Sequence, residues 1–220
     1  MSISIAGLYG ARSLREYLSG TWHLRRTITA RDGTVLGRVR DAVASFVPMP
    51  RRSSPPDAGD DACDDDGARL LYRESGSVDL VAASSPLEFE REYVYAFTGP
   101  TSADVAFRVI ARSRGRLVRS RSDAVEEAAA GDGDSDGGHF HSLSVSAKTG
   151  VGETTEHLCI ADLYRASIEI AERDAFTWRW SVVGPAKDYT IESIFERAGT
   201  EEEVVDVVAG GGDAAVAAPR

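Results

Sequence analysis

The sequence predicts an all-β fold, a sandwich or an antiparallel up-and-down barrel. Three observations carry that prediction. Short runs of alternating apolar and polar residues follow one another along most of the chain. Turn signals separate many of them: Asp32-Gly33, Ser75-Gly76, Ser85-Pro86, Gly99-Pro100, Gly150-Val151-Gly152 and Gly184-Pro185. Helix signals are confined to one short stretch near the front.

That stretch is Ser13 to Leu18, where Ser13 is placed to cap and Glu16 follows three residues on. Strands are then expected at 20–29, 34–47, 68–74, 77–83, 87–98, 104–111, 139–147, 153–159, 164–171, 177–183 and 188–197. The segments 49–67 and 120–138, with the tail 199–220, are rich in Pro, Ser, Asp, Gly, Ala or Glu. Their low apolar content predicts disordered insertions and a disordered tail around one domain spanning 10–198.

Alternation assigns faces, because successive strand side chains point to opposite sides. In 87–98, Phe89, Arg91, Tyr93, Tyr95 and Phe97 share one face, opposite Glu88, Glu90 and Glu92. The aromatic face belongs inside and takes Arg91 with it. By the same argument Tyr164, Ala166, Ile168 and Ile170 point inward, as do Phe176, Trp178, Trp180 and Val182. The last strand directs Tyr189, Ile191, Ser193, Phe195 and Arg197 inward. Trp22, Leu24 and Ile28 share a face with Arg26.

Gly20-Thr21-Trp22 on a first strand, with Arg197 on the last, resembles the calycin signature of lipocalins and fatty-acid-binding-like barrels. The resemblance implies a calycin-like barrel of about eight to ten strands, with Trp22 and Arg197 meeting as a structural lid at one end. A cation over an indole contributes about 0.5–2 kcal/mol. A longer pattern resembles the uncharacterised domain-of-unknown-function family "sixty-three fourteen". Its residues here are Gly20, Trp22, Phe140, His141, His157, Cys159, Asp162, Tyr164, Trp180, Gly184, Pro185, Lys187, Asp188, Tyr189 and Arg197.

The formal charge of −10 argues against nucleic acid and anionic membrane surfaces as partners. No apolar run approaches the ~18 residues that a spanning helix needs. The front of the chain lacks a secretory pattern, and Cys63 and Cys159 are not expected to pair, so a cytoplasmic protein is expected.

The densest polar run is His157-Leu158-Cys159-Ile160-Ala161-Asp162-Leu163-Tyr164. A five-residue hairpin loop at 148–152 would oppose Ala147 to Glu153 and His141 to Cys159. His139, His141, His157 and Cys159 would then share a face that could suit zinc. A one-residue slip destroys that arrangement, so no metal is assigned. Tyr164 points inward, and a turn or bulge at Ala161-Asp162 would bring His157 and Cys159 inward as well. Lys187 and Asp188 are expected in a hairpin turn, solvated or paired locally, and Lys187, one of only two lysines, is also a candidate for the pocket mouth.

The leading expectation is binding of a small apolar or aromatic molecule inside the barrel. Arg91, Tyr93, Tyr95, His141, His157, Cys159, Tyr164, Trp178 and Tyr189 are the candidate ligand-binding residues. One alternative is an enzyme acting on a hydrophobic small molecule, with His157, Asp162 and Tyr164 as its acid–base group. Another is haem binding through one histidine. Arg91 itself has two readings, a carboxylate anchor or a structural ion pair at the barrel mouth.

Overall fold

In a computed structural model, described for residues 8, 10–49, 69–108, 136–185 and 187–199, one short helix precedes eleven strands. They are α1 (Leu14–Leu18), β1 (Gly20–Ala30), β2 (Val35–Pro48), β3 (Arg69–Leu80), β4 (Leu87–Gly99), β5 (Ser102–Arg108), β6 (Asp136–Val145), β7 (Val151–Thr154), β8 (His157–Cys159), β9 (Asp162–Glu172), β10 (Ala175–Val183) and β11 (Asp188–Arg197). All pairings are antiparallel. The sheet runs β10-β11-β1-β2-β3-β4-β5-β6-β7-β9, and β9 pairs with β10 to close a ten-stranded barrel. The short β8 continues the line of β7 along β9. The expected calycin-like barrel is therefore present. The first and last strands are neighbours, with Trp22 directly opposite Arg197.

Helix α1 straps one end of the barrel. Ser13 caps it by accepting from the Glu16 amide. The Leu14 amide donates to the Pro100 carbonyl at 2.7 Å, on the β4–β5 turn. The Tyr17 hydroxyl donates to the carbonyls of Glu172 and Ala175, both at 2.9 Å, on the β9–β10 turn. Leu8, Leu14, Tyr17 and Leu18 are buried beneath this strap with Trp22 and Phe176. Burial of such side chains contributes about 1.5–3 kcal/mol each.

The expected faces are observed in the burial of β9, β10 and β11. On β4 the ring contacts of Tyr93, Tyr95 and Phe97 follow the expected inner face, while Glu92 and Val94 on the opposite face are buried as well. Two segmentations and one register differ from expectation. Ser75-Gly76 does not turn: β3 runs through it, and the turn falls after Leu80. Gly76 lies there because β2 passes so close that a Cβ would stand 2.5 Å from the Ala42 Cβ. The run 153–159 is two strands, β7 and β8, rather than one. The β6–β7 register sets Val145 opposite Gly152 and Leu143 opposite Thr154. Ala147 does not oppose Glu153, and His141 does not oppose Cys159. The expected insertions at 49–67 and 120–138 and the tail 199–220 lie, apart from their borders, outside the described residues.

Candidate functional site

The inner wall changes character along the barrel axis. On β4, β9 and β11 the inward residues near α1 are buried and those at the far end are partly open, whereas Val39 on β2 and Val182 on β10 stay buried at the far end. On β4, Phe97 and Tyr95 are buried, Tyr93 and Phe89 half-buried and Arg91 exposed. On β9, Ile170, Ile168 and Ala166 are buried and Tyr164 is half-buried. On β11, Phe195 and Ser193 are buried, and Ile191 and Tyr189 half-buried. At this end the inward-facing side chains of β4, β9 and β11 keep accessible surface.

The closed end is the Trp22–Arg197 lid. The Arg197 guanidinium lies 4.1 Å from the Trp22 ring centroid. It also donates to the Tyr17 carbonyl at 2.8 Å and the Ser19 carbonyl at 3.0 Å, while Trp22 Nε1 donates to the Leu18 carbonyl at 2.8 Å. Helix C-termini leave carbonyls without intrahelical partners; the two signature side chains satisfy those of Tyr17, Leu18 and the capping Ser19. Gly20, at φ 116°, permits this approach, since a Cβ would stand 3.2 Å from Arg197 Nη1.

Midway along the wall, Arg26, Glu74 and Tyr72 form a buried network. Arg26 donates to Glu74 through Nη1 at 3.0 Å and Nη2 at 2.7 Å, and to Ser193 Oγ through Nε at 2.8 Å. The Tyr72 hydroxyl donates to Glu74 Oε2 at 2.5 Å. Burial opposes ionisation of Glu74. The Arg26 charge and hydrogen bonds outweigh it, with Arg91 and Tyr72 contributing, and the pKa falls to about 2. Arg91 stands directly opposite Glu74 on β4. Its Nε is 3.9 Å from Glu74 Oε1, and its side chain retains 54% accessibility against 2% for Glu74.

The aromatic wall centres on Phe140. A β-bulge between Val105 and Ala106 sets His141 opposite Val105 and His139 opposite Ala106, leaving Phe140 as the extra residue. Phe140 and His141 both reach the inner ring cluster as a result. Phe140 stacks on Tyr93 (5.7 Å, 15°) and on Trp180 (5.4 Å, 11°), and meets Phe107 at 4.6 Å. His141 is 1% exposed and lies 5.3 Å from Trp180 and 6.2 Å from Trp178. Burial, followed by His139 and His157, lowers its pKa to about 3. It is therefore a neutral wall residue, and its Nδ1 has no hydrogen-bond partner among the described residues.

The open rim is built by β8, β9 and the β10–β11 turn. Ile160 and Ala161 form a two-residue turn, with Ile160 at φ 58°, a left-handed conformation unusual for a β-branched residue. This break sets His157 opposite Tyr164 and Cys159 opposite Asp162, so all four share one face, as a turn at this place required. His157 packs edge-on against Phe140 at 4.9 Å. Burial depresses its pKa, and a hydrogen bond to the Phe140 backbone opposes that shift.

Lys187 reaches out of its own turn to another hairpin. Its Nζ donates to the Tyr164 hydroxyl at 2.7 Å and pairs with Asp162 Oδ2 at 3.1 Å. The turn is closed by the Gly184 amide donating to the Lys187 carbonyl at 2.7 Å. Gly184 packs directly on Asp162, where a Cβ would fall 1.9 Å from Oδ1. The Gly-Pro-x-Lys and Asp-x-Tyr segments thus form one interlocked rim.

The structure gathers Arg91, Tyr93, His157, Tyr164 and Tyr189 toward the open half. Tyr95 and Trp178 are buried toward the closed half, with His141 buried between. His139 lies on the outer face, with Nε2 3.2 Å from Ser142 Oγ, apart from His157 and Cys159. Among the described residues, no group of three metal-ligating side chains forms. Of the inner histidines, His157 alone keeps accessible surface, so it is the one that a haem iron could reach. Sequence reasoning missed Phe107, Phe140 and Trp180 as site residues, and singled out Lys187 without its partners. The signal for Lys187 was its rarity, since the chain has two lysines among 25 basic residues.

The sequence matches a family model described as a family of unknown function, DUF6314, over residues 18–197. No curated protein sequence matches it. Among solved structures, the S-type phycobiliprotein lyase CPES from Guillardia theta aligns with a TM-score of 0.53 at 9% identity, covering 91% of this chain and 100% of that one. A redesigned β barrel, mFAP1, bound to DFHBI, aligns with a TM-score of 0.34 at 10% identity, covering 83% and 97%. The lyase likeness is one of fold. Among the described residues, no helix is long and apolar enough to cross a membrane.

Proposed function

We propose that this chain, which belongs to the DUF6314 family, binds one small, largely apolar molecule with flat faces inside its barrel. The observation that carries the reading is the graded inner wall. The lid of α1, Trp22 and Arg197 seals one end, and half-accessible aromatic side chains line the other. Barrels of this size hold a single small ligand when their interior is not filled by side chains. The stacked faces of Tyr93, Phe140 and Trp180 offer parallel flat surfaces to such a molecule.

An acid–base enzyme is the second reading, favoured by the convergence of His157, Asp162 and Tyr164 on one face. Lys187 already holds both Asp162 and Tyr164. Proton transfer through either would require that contact to loosen, so binding is the better-supported function.

Titration with the neutral fluorescent probe N-phenylnaphthylamine tests binding. Saturable one-to-one enhancement is expected, weakened in Trp180→Ala. An absence of saturable binding to the folded protein would remove the proposal.

A further inference from the structure

We infer that the ligand is a flat apolar carboxylic acid and that Arg91 receives its carboxylate; the inference rests on the binding reading above. Three ionised side chains meet on the inner wall, and they do not balance. Arg26 and Arg91 carry two positive charges against the single negative charge of Glu74. Arg26 uses all three guanidinium nitrogens within the protein, on Glu74 and Ser193. Glu74 has both oxygens occupied by Arg26, and Tyr72 donates to one of them. Arg91, at 3.9 Å, is left outside hydrogen-bond distance of that carboxylate. Among the described residues its guanidinium makes no hydrogen bond. The rim carboxylate Asp162 is engaged by Lys187.

A guanidinium with free donors that stays open to solvent on the inner wall is available to an anion entering from the rim. Its planar fork fits a carboxylate with two parallel hydrogen bonds. A ligand carboxylate there would bring this cluster to charge balance. The chain's own acidic residues on β4 cannot serve, because Glu88, Glu90 and Glu92 alternate onto the opposite face. Tyr93 adjoins Arg91 on the inner face and continues into the stacked Phe140 and Trp180 rings. An acid held at Arg91 therefore lays its body along that wall.

Calorimetric titration with naphthylacetic acid and with its neutral amide isolates the carboxylate. The intact protein is expected to bind the acid about tenfold more tightly than the amide, the scale of a charge-assisted hydrogen bond. In Arg91→Gln the preference for the acid over the amide should vanish. Arg91→Lys, which keeps charge but loses the fork, should fall between. Equal affinity for acid and amide in the intact protein overturns the inference and leaves the binding reading standing. An acid preference that persists in folded Arg91→Gln also overturns it. Failure of both compounds to bind removes the binding reading and the anchor together.

Discussion

Arg197 lies over the face of Trp22, 4.1 Å from its centroid, and the same guanidinium holds two carbonyls at the end of α1. The pair joins the first strand, the last strand and the helical strap in one contact. Its role is to seal the barrel. Trp22→Ala should cost about 3–5 kcal/mol by removing a buried indole. Arg197→Ala should cost about 2 kcal/mol or more through lost stacking and charge-assisted hydrogen bonds. Chemical denaturation measures both, and probe affinity of the folded fraction should be unchanged.

Glu74 and Arg26 should behave as a buried pair that cannot be halved. Glu74→Ala leaves Arg26 uncompensated and should cost about 3–5 kcal/mol. Replacing both partners with apolar residues of similar volume should recover most of that loss. A double-mutant cycle in urea reads the coupling.

The Glu74 pair also predicts acid sensitivity. The folded pKa, about 2, is below the ordinary 4.5, so the pair stabilises the protein fully above about 4.5. That stability is lost as pH falls through about 2. In Glu74→Gln, denaturation midpoints should no longer decline across this window on account of residue 74.

His141 acts at higher pH. Its folded pKa of about 3 is below the ordinary 6.5, because burial excludes the charged form. Between those values the unfolded chain binds the extra proton, so stability declines as pH falls from about 6.5 toward about 3. His141→Phe should flatten that part of the stability profile. An unchanged slope would show that other groups set it.

The rim should depend on Gly184. A Cβ there would fall 1.9 Å from Asp162 Oδ1 and 2.8 Å from its Cα, so Gly184→Ala must separate the two hairpins. Lys187→Met would leave the Asp162 carboxylate without its cation. Both variants should destabilise the β8–β9 hairpin locally, which hydrogen exchange at Cys159–Tyr164 would detect as faster amide exchange than in the parent.

Much of this was legible in the sequence because strand side chains alternate strictly. That period places Arg91 with Tyr93 and Tyr95, and Arg197 with Phe195, without any knowledge of pairing. What depends on pairing was not legible. The bulge that turns Phe140 inward exists only in the β5–β6 register, between strands far apart in the chain. Gly76 resembles a turn glycine, and only the approach of β2 shows why it sits within a strand. Lys187 follows a turn by sequence, and its partners Asp162 and Tyr164 come from another hairpin.

The central claim is an inner wall closed at the Trp22 end and open at the Arg91 end. Hydroxyl-radical footprinting of the intact protein, read residue by residue by mass spectrometry, tests it most directly. Tyr93, Phe140, Trp180 and Tyr189 should be oxidised much faster than Phe46, Tyr95, Phe176 and Phe195, and naphthylacetic acid should protect the first group alone. Equal protection of both groups without ligand, or faster oxidation around Phe176 and Phe195, would contradict the account.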